Sequence, residues 1–129
     1  MSTARPARSG RASSRWRTTA ASINPDGLKH TIEGNIIQAL SRTLWEEVKF
    51  DTKNVTSVDW QTYPILDMTE IPETIDIVVI NDVNRAPTGA GEGATRPVAA
   101  AVANAIFDAT GVRIRRAPFS PERVKSALS

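Results

Sequence analysis

The strongest constraint on the fold is a run of apolar residues that recur every three or four positions between residues 24 and 49. Asn24-Pro25-Asp26 opens the run with an N-cap residue, a proline suited to the first helical turn and an acid. The apolar positions are Ile32, Ile36, Ile37, Leu40, Leu44 and Val48. This spacing predicts one long helix with a single buried face. The charged residues Glu46, Glu47 and Lys49 are predicted to lie on the solvated side at its end.

The rest of the chain has the patterns of short strands and shorter helices. Residues 55–63 are rich in Val, Thr, Trp and Tyr, and residues 75–80 are almost all β-branched, so both predict strands. Residues 112–116 predict a short edge strand. Two further helices are predicted, over residues 97–111 with a glycine cap and over residues 120–128. The predicted fold class is α+β, with helices packed on a small mixed sheet.

Charge divides the chain into two parts. Residues 1–22 carry five arginines and no acid, whereas the remaining eleven basic and fourteen acidic residues give residues 23–129 a net charge of −3. The composition of residues 1–22 predicts a disordered arm, and residues 23–129 are the predicted folded domain. An arm of this kind could also direct import into an organelle or bind nucleic acid. The acidic folded part argues against a nucleic-acid-binding domain.

Several chemistries are excluded by composition. The chain has no cysteine, so it has no disulfide, no thiolate metal site and no cysteine nucleophile. Its single histidine, His30, excludes a zinc site built from several histidines, and we expect it to lie on the surface. No metal ligand is assigned in this chain. No apolar run approaches about 18 residues, so the sequence predicts no membrane span.

The residues with most chemical interest lie in the segment Gly89-Ala90-Gly91-Glu92-Gly93. Gly89-x-Gly91-x-x-Ala94 matches the relaxed dinucleotide-binding pattern, but it does not directly follow its strand and no acid follows at the ribose-binding distance. Glycines on both sides of Glu92 let backbone approach a ligand, and a helix N-terminus follows. By itself the pattern leaves Glu92 either a solvated loop carboxylate or a functional one.

A family resemblance bears on that choice. The chain from Ile23 onward resembles the C-terminal end of the molybdenum-cofactor-binding large subunit of the xanthine dehydrogenase and aldehyde oxidase family, in the branch of isoquinoline 1-oxidoreductase and nicotinate dehydrogenase. The residues that carry the resemblance are Ile23–Leu28, Ile32–Leu40, Leu44–Glu47, Tyr63–Leu66, Glu70–Glu73, Gly89–Glu92, Pro97 and Ala103–Arg113.

The resemblance implies a role for particular residues. Glu92 would be the catalytic base that deprotonates a molybdenum-bound hydroxyl, for hydroxylation of N-heteroaromatic or aldehyde substrates with water-derived oxygen. Gly89, Gly91 and Thr31 would be cofactor-binding residues. Two positions depart from the family pattern: Gly93 replaces a usual proline, and Thr31 replaces a glutamine that lies near the pterin.

The resemblance also implies partners and cofactors outside this chain. It implies a molybdopterin cytosine dinucleotide with molybdenum, a 2Fe-2S cluster on an iron–sulfur small subunit, and the upstream part of the large subunit. The substrate would be a small molecule, and the location the bacterial cytoplasm or, second, the periplasm. At 129 residues the chain is expected to be a truncated or frame-shifted fragment, with residues 1–22 outside the family sequence and no activity alone. The alternative is a non-catalytic remnant or interaction module without a cofactor of its own.

Overall fold

The computed structural model describes residues 11–17, 22–86 and 89–129. Three helices and two strands make up its regular structure, and a short 3₁₀ turn at Gly93–Thr95 lies between the last strand and the second helix. In chain order the elements are β1 (Arg11–Arg17), α1 (Pro25–Leu44), β2 (Thr74–Ile80), α2 (Val98–Thr110) and α3 (Pro121–Leu128). The fold is α+β, as the sequence predicts.

Helix α1 begins where the sequence predicts it. The Asn24 side-chain oxygen accepts a hydrogen bond from the Gly27 N–H at 2.8 Å, and Pro25 occupies the first helical position, where no N–H is needed. The helix ends at Leu44, so Val48 lies beyond it and is exposed. The buried face is therefore shorter than the predicted one.

The hydrophobic core forms between α1, β2 and the start of α2. Its buried members are Ile32, Ile36, Ala39, Ala94 and Val98, against which Leu28, Leu40, Ile75, Ile77 and Val102 pack. Alternate residues of β2 are half-buried and exposed, so one face of the strand packs on α1 and the other faces out.

Strand β1 pairs in parallel with β2, with Arg11 opposite Thr74 and Arg17 opposite Ile80. Residues 11–17 belong to the arm for which the sequence predicts disorder, and the structure differs there because the backbone of β2 supplies hydrogen-bonding partners. Residues 1–10 and 18–21 of that arm lie outside the described residues. The domain boundary at residue 22 stays a prediction.

Two predicted strands are absent from the described residues, and the predicted mixed sheet is a parallel pair of strands. Within residues 55–63, Val55 makes only an isolated antiparallel bridge with Phe50, and a turn follows in which the Asp59 carboxylate accepts the N–H groups of Gln61 and Thr62. The Thr62 hydroxyl oxygen in turn accepts the Val58 N–H. These local side-chain bonds take the backbone groups that a strand would pair. Residues 112–116 follow α2 as an irregular segment.

Helices α2 and α3 each begin one residue after the predicted start. Gly111 closes α2 with a φ of +72°, and its N–H donates to the Phe107 carbonyl at 2.7 Å. The Ser120 side chain caps α3 by accepting the Arg123 N–H at 3.3 Å.

The C-terminal half of α1 anchors the remaining segments. The Ser41 hydroxyl accepts the Leu66 N–H at 3.0 Å, and the Thr43 carbonyl accepts the Phe119 N–H at 2.7 Å. Just past the helix, the Glu47 carboxylate receives Arg123 Nη2 at 3.0 and 3.1 Å. These bonds attach the middle and the end of the chain to one helix.

No helix within residues 11–17, 22–86 and 89–129 is long and apolar enough to cross a membrane.

We expect Gly34→Ala to stabilise the protein and Gly111→Ala to destabilise it. A Cβ at either position would meet no atom within 4 Å, so the backbone conformation decides the sign. Gly34 is inside α1, where alanine is favoured by about 0.5–1 kcal/mol. The φ of +72° at Gly111 costs an alanine roughly 1–2 kcal/mol. Urea unfolding followed by circular dichroism measures both; effects of the same sign would contradict this explanation.

We expect the stability of Glu47→Gln to fall less steeply in acid than that of the wild-type protein. The hydrogen bond from Arg123 holds the pKa of Glu47 below its ordinary value of 4.5, so the pair stabilises the fold above that pH. The contribution disappears as the pH falls from about 4.5 through the lowered pKa of the folded state. Thermal unfolding between about pH 3 and 6 should show a shallower decline in Glu47→Gln than in wild type.

The matched control for that experiment is Glu73→Gln, which removes an exposed carboxylate. Asp51 and Asp59 also have a lowered pKa because backbone N–H groups donate to them, so some loss of stability in acid remains in every variant. An unchanged slope in Glu47→Gln, or an equal change in Glu73→Gln, would show that the Glu47–Arg123 pair does not act in this way.

Candidate active-site loop

The predicted functional residues Gly89, Gly91 and Glu92 lie in the connection between β2 and α2. Gly89 and Gly91 have φ values of +79° and +39°, a backbone region that residues with a Cβ rarely adopt. Apart from the adjacent residues of the chain, no atom lies within 4 Å of the position where a Cβ would stand at either glycine. The loop therefore turns sharply and is open on those sides. Pro87 and Thr88, which precede it, lie outside the described residues.

The loop is anchored after Glu92 by packing and by a turn. Ala94, two residues on, is only 3% exposed and belongs to the core with Ile32 and Ile36 of α1. The Glu92 carbonyl accepts both the N–H of Thr95 at 3.1 Å and its hydroxyl at 2.7 Å. The backbone on the C-terminal side of Glu92 is thus fixed to the core.

The loop is anchored before Glu92 by a side chain of α1. Asn35 is 8% exposed, and its Nδ2 donates to the Gly91 carbonyl at 3.0 Å. The same nitrogen donates to the Thr31 carbonyl at 2.6 Å, one turn earlier in the helix. Asn35 therefore connects two predicted site residues, Thr31 and Gly91. Its Oδ1 is buried and has no hydrogen-bond partner among the described residues.

The backbone of Glu92 is held on both sides, whereas its side chain makes no bond within the described part of the chain. The residue is exposed, and within the described part of the chain its carboxylate takes part in no hydrogen bond or ion pair. A carboxylate with unoccupied oxygens on a fixed backbone can accept a proton from a ligand without first breaking an internal bond.

Thr31 and Gly89 occupy the edges of this arrangement. Thr31 is exposed on α1 and its hydroxyl donates to the Gly27 carbonyl at 2.9 Å, which leaves the hydroxyl oxygen free to accept. Gly89 lies at the exposed start of the loop. His30 is on the surface, as expected, with Nδ1 3.2 Å from the Glu33 carboxylate.

Asn35 belongs to this site, but the sequence does not predict a functional role for it. A signal for it exists in the sequence: residue 35 stands three positions after Ile32 and four before Ala39, and so falls on the buried face of α1. A polar side chain on a buried helix face needs a partner, and here that partner is the loop.

No group of three or more His, Asp or Glu side chains that could hold a metal ion occurs in the described segments. The residues around the loop supply one free carboxylate and one unpartnered amide oxygen.

Comparison with known proteins gives several matches that cover most of this chain. It is 49% identical over 106 residues to a nicotinate dehydrogenase subunit of Pseudomonas putida, covering 82% of this chain and 9% of that protein. It is 37% identical over 101 residues to aldehyde oxidoreductase of Megalodesulfovibrio gigas, covering 75% of this chain and 11% of that protein. No family model matches the chain.

Comparison of the fold with solved structures also gives a match that covers most of this chain. Quinoline 2-oxidoreductase from Pseudomonas putida 86 superposes with a TM-score of 0.78 at 27% identity, over 90% of this chain and 16% of that one. The chain thus spans only about a tenth to a sixth of the relatives it matches. Over that span it belongs to the xanthine dehydrogenase and aldehyde oxidase family of molybdenum hydroxylases.

Proposed function

We propose that this chain is a C-terminal segment of a molybdenum hydroxylase large subunit, in which Glu92 is the catalytic base. The observation that carries the proposal is the state of Glu92, whose backbone is fixed on both sides while its carboxylate is exposed and unpartnered. The names of the relatives support N-heteroaromatic or aldehyde substrates, since they include a nicotinate dehydrogenase, a quinoline oxidoreductase and an aldehyde oxidoreductase.

The net reaction defines what the chain's residues have to do. A C–H bond of the substrate is replaced by C–OH, the oxygen comes from water, and two electrons and two protons leave. A molybdopterin cytosine dinucleotide that carries molybdenum would, when bound, supply the metal as two-electron acceptor and raise the acidity of the water-derived oxygen.

Glu92 would take one of the two protons on a carboxylate oxygen as the water-derived oxygen attacks the electron-poor carbon. Gly89 and Gly91 would leave space beside it, because neither presents a side chain. The exposed carboxylate, which has no partner among the described residues, is the feature of this loop that fits such a cofactor. Thr31 would offer its hydroxyl oxygen to the pterin from the adjacent helix.

Exposed apolar side chains support the proposal that the chain works as part of a larger assembly. Six large apolar residues between residues 48 and 68 are more than half exposed. They are Val48, Phe50, Val55, Val58, Trp60 and Met68. We propose that the upstream part of the large subunit covers them. An iron–sulfur subunit with a 2Fe-2S cluster would receive the electrons.

We expect Glu92→Gln to slow turnover strongly in a hybrid enzyme. In this hybrid, residues 23–129 replace the matching segment of the Pseudomonas putida nicotinate dehydrogenase subunit, co-expressed with the remaining subunits of that enzyme. Removing a general base should lower kcat by about 10²–10⁴-fold, while the molybdenum content stays at the wild-type level. Nicotinate hydroxylation and elemental analysis measure the two quantities.

Glu73→Gln, an exposed carboxylate outside the loop, is the control and should keep its activity. A hybrid with full molybdenum content but no activity in its wild-type form would favour the alternative, a non-catalytic remnant or interaction module. A Glu92→Gln hybrid that turns over normally would exclude Glu92 as the base.

A further inference from the structure

The Asn35 side chain is polar although it occupies a buried position. It lies on the buried face of α1, and both hydrogens of its Nδ2 are engaged, one with the Thr31 carbonyl and one with the Gly91 carbonyl 56 residues away. An exchange of nitrogen and oxygen in this amide would place an oxygen against two carbonyl oxygens, so the donor must face them.

The contact with Gly91 acts directly on Glu92. The Gly91 carbonyl and the Glu92 N–H belong to one planar peptide unit, so a hydrogen bond to the carbonyl fixes the plane on the N-terminal side of the Glu92 Cα. Thr95 fixes the plane on the C-terminal side through its bonds to the Glu92 carbonyl. With both planes held, the direction of the Glu92 Cα–Cβ bond is set.

The loop has little else to hold it on the N-terminal side. Gly91 has no side chain to pack, and the next described bond in the loop is a long one, from the Gly93 N–H to the Ala90 carbonyl at 3.4 Å. A buried amide oxygen without a partner, such as Asn35 Oδ1, lowers stability. The bond from Asn35 Nδ2 to the Gly91 carbonyl, at 3.0 Å, is the shorter of the described bonds on this side of Glu92.

We propose that Asn35 is a positioning residue for Glu92, which it orients through the Gly91 peptide. The proposal rests on the proposed function of Glu92 as the base. It assigns to α1 an indirect part in catalysis, through the orientation of Glu92, in addition to its part in the core.

The first test measures the loop in the full 129-residue chain. Asn35→Leu keeps the size of the side chain and removes its donors, and Asn35→Asp serves if the leucine variant does not fold. Amide hydrogen exchange at Thr95 should accelerate by about tenfold or more relative to the amides of α2, and ¹⁵N relaxation should show a more mobile Glu92 amide.

Thr43→Val is the matched control. Thr43 is a buried polar residue of α1 that also donates to the carbonyl four residues earlier, but it does not reach the loop. This variant should leave exchange at Thr95 unchanged relative to α2. Unchanged loop exchange in a folded Asn35 variant, or equal acceleration in both variants, would overturn the positioning role.

The second test uses the hybrid enzyme defined above. Asn35→Leu should lower kcat by about 10- to 100-fold with little change in KM, because a misplaced base slows the chemical step more than binding. In the Glu92→Gln background the same substitution should cause no further loss. An equal loss in both backgrounds would show that Asn35 does not act through Glu92. If Glu92→Gln alone left turnover intact, the proposed function would fail, and the exchange results would still decide whether Asn35 holds the loop.

Discussion

The burial of one face of α1 is the constraint on which the rest of this structure depends. Ile32 and Ile36 in its first half pack with β2, the loop and the start of α2 to form a small core. Ser41 and Thr43 in its second half bind backbone groups from the middle and the end of the chain. Because segments far apart in sequence meet on one rigid helix, a change on α1 reaches the loop without passing through any other element.

The sequence predicts those parts of the fold whose signals are local. Asn24, Gly111 and Ser120 mark helix ends by capping chemistry, which acts within a few residues, and the ends fall where those residues stand. The strand predicted at residues 55–63 is wrong because Asp59 and Thr62 bind the backbone that a strand would need. Strand β1 could not be predicted, since its pairing with β2 is a long-range contact that residues 11–17 do not encode alone.

The candidate site also has a part that local sequence signals predict and a part that they do not. Glu92 and its glycines are a compact motif, and the family resemblance implies a role for them that stays a prediction. Asn35 reaches the loop across 56 residues, so no local spacing relates the two. What the sequence does show is an amide on an apolar helix face, which predicts a buried partner without identifying it. The structure supplies the partner, and its identity as the Gly91 peptide is what connects the core to the carboxylate.

A catalytic base also requires a particular environment, and this determines how the chain would contribute to an enzyme. Electrostatic interactions in an active site are strong when water is excluded, yet Glu92 is exposed here, as are Phe50, Val58 and Trp60. The chain spans about a tenth of the nicotinate dehydrogenase subunit it matches, so most of the material that could cover these residues lies elsewhere in such an assembly. Under the proposed function, this segment provides a base whose Cα–Cβ bond has a set direction. The remaining parts provide the cofactor, the substrate pocket and the exclusion of water. Orientation can be built into a small segment because it needs only a helix, a loop and a few hydrogen bonds, whereas a dry cavity needs walls on every side.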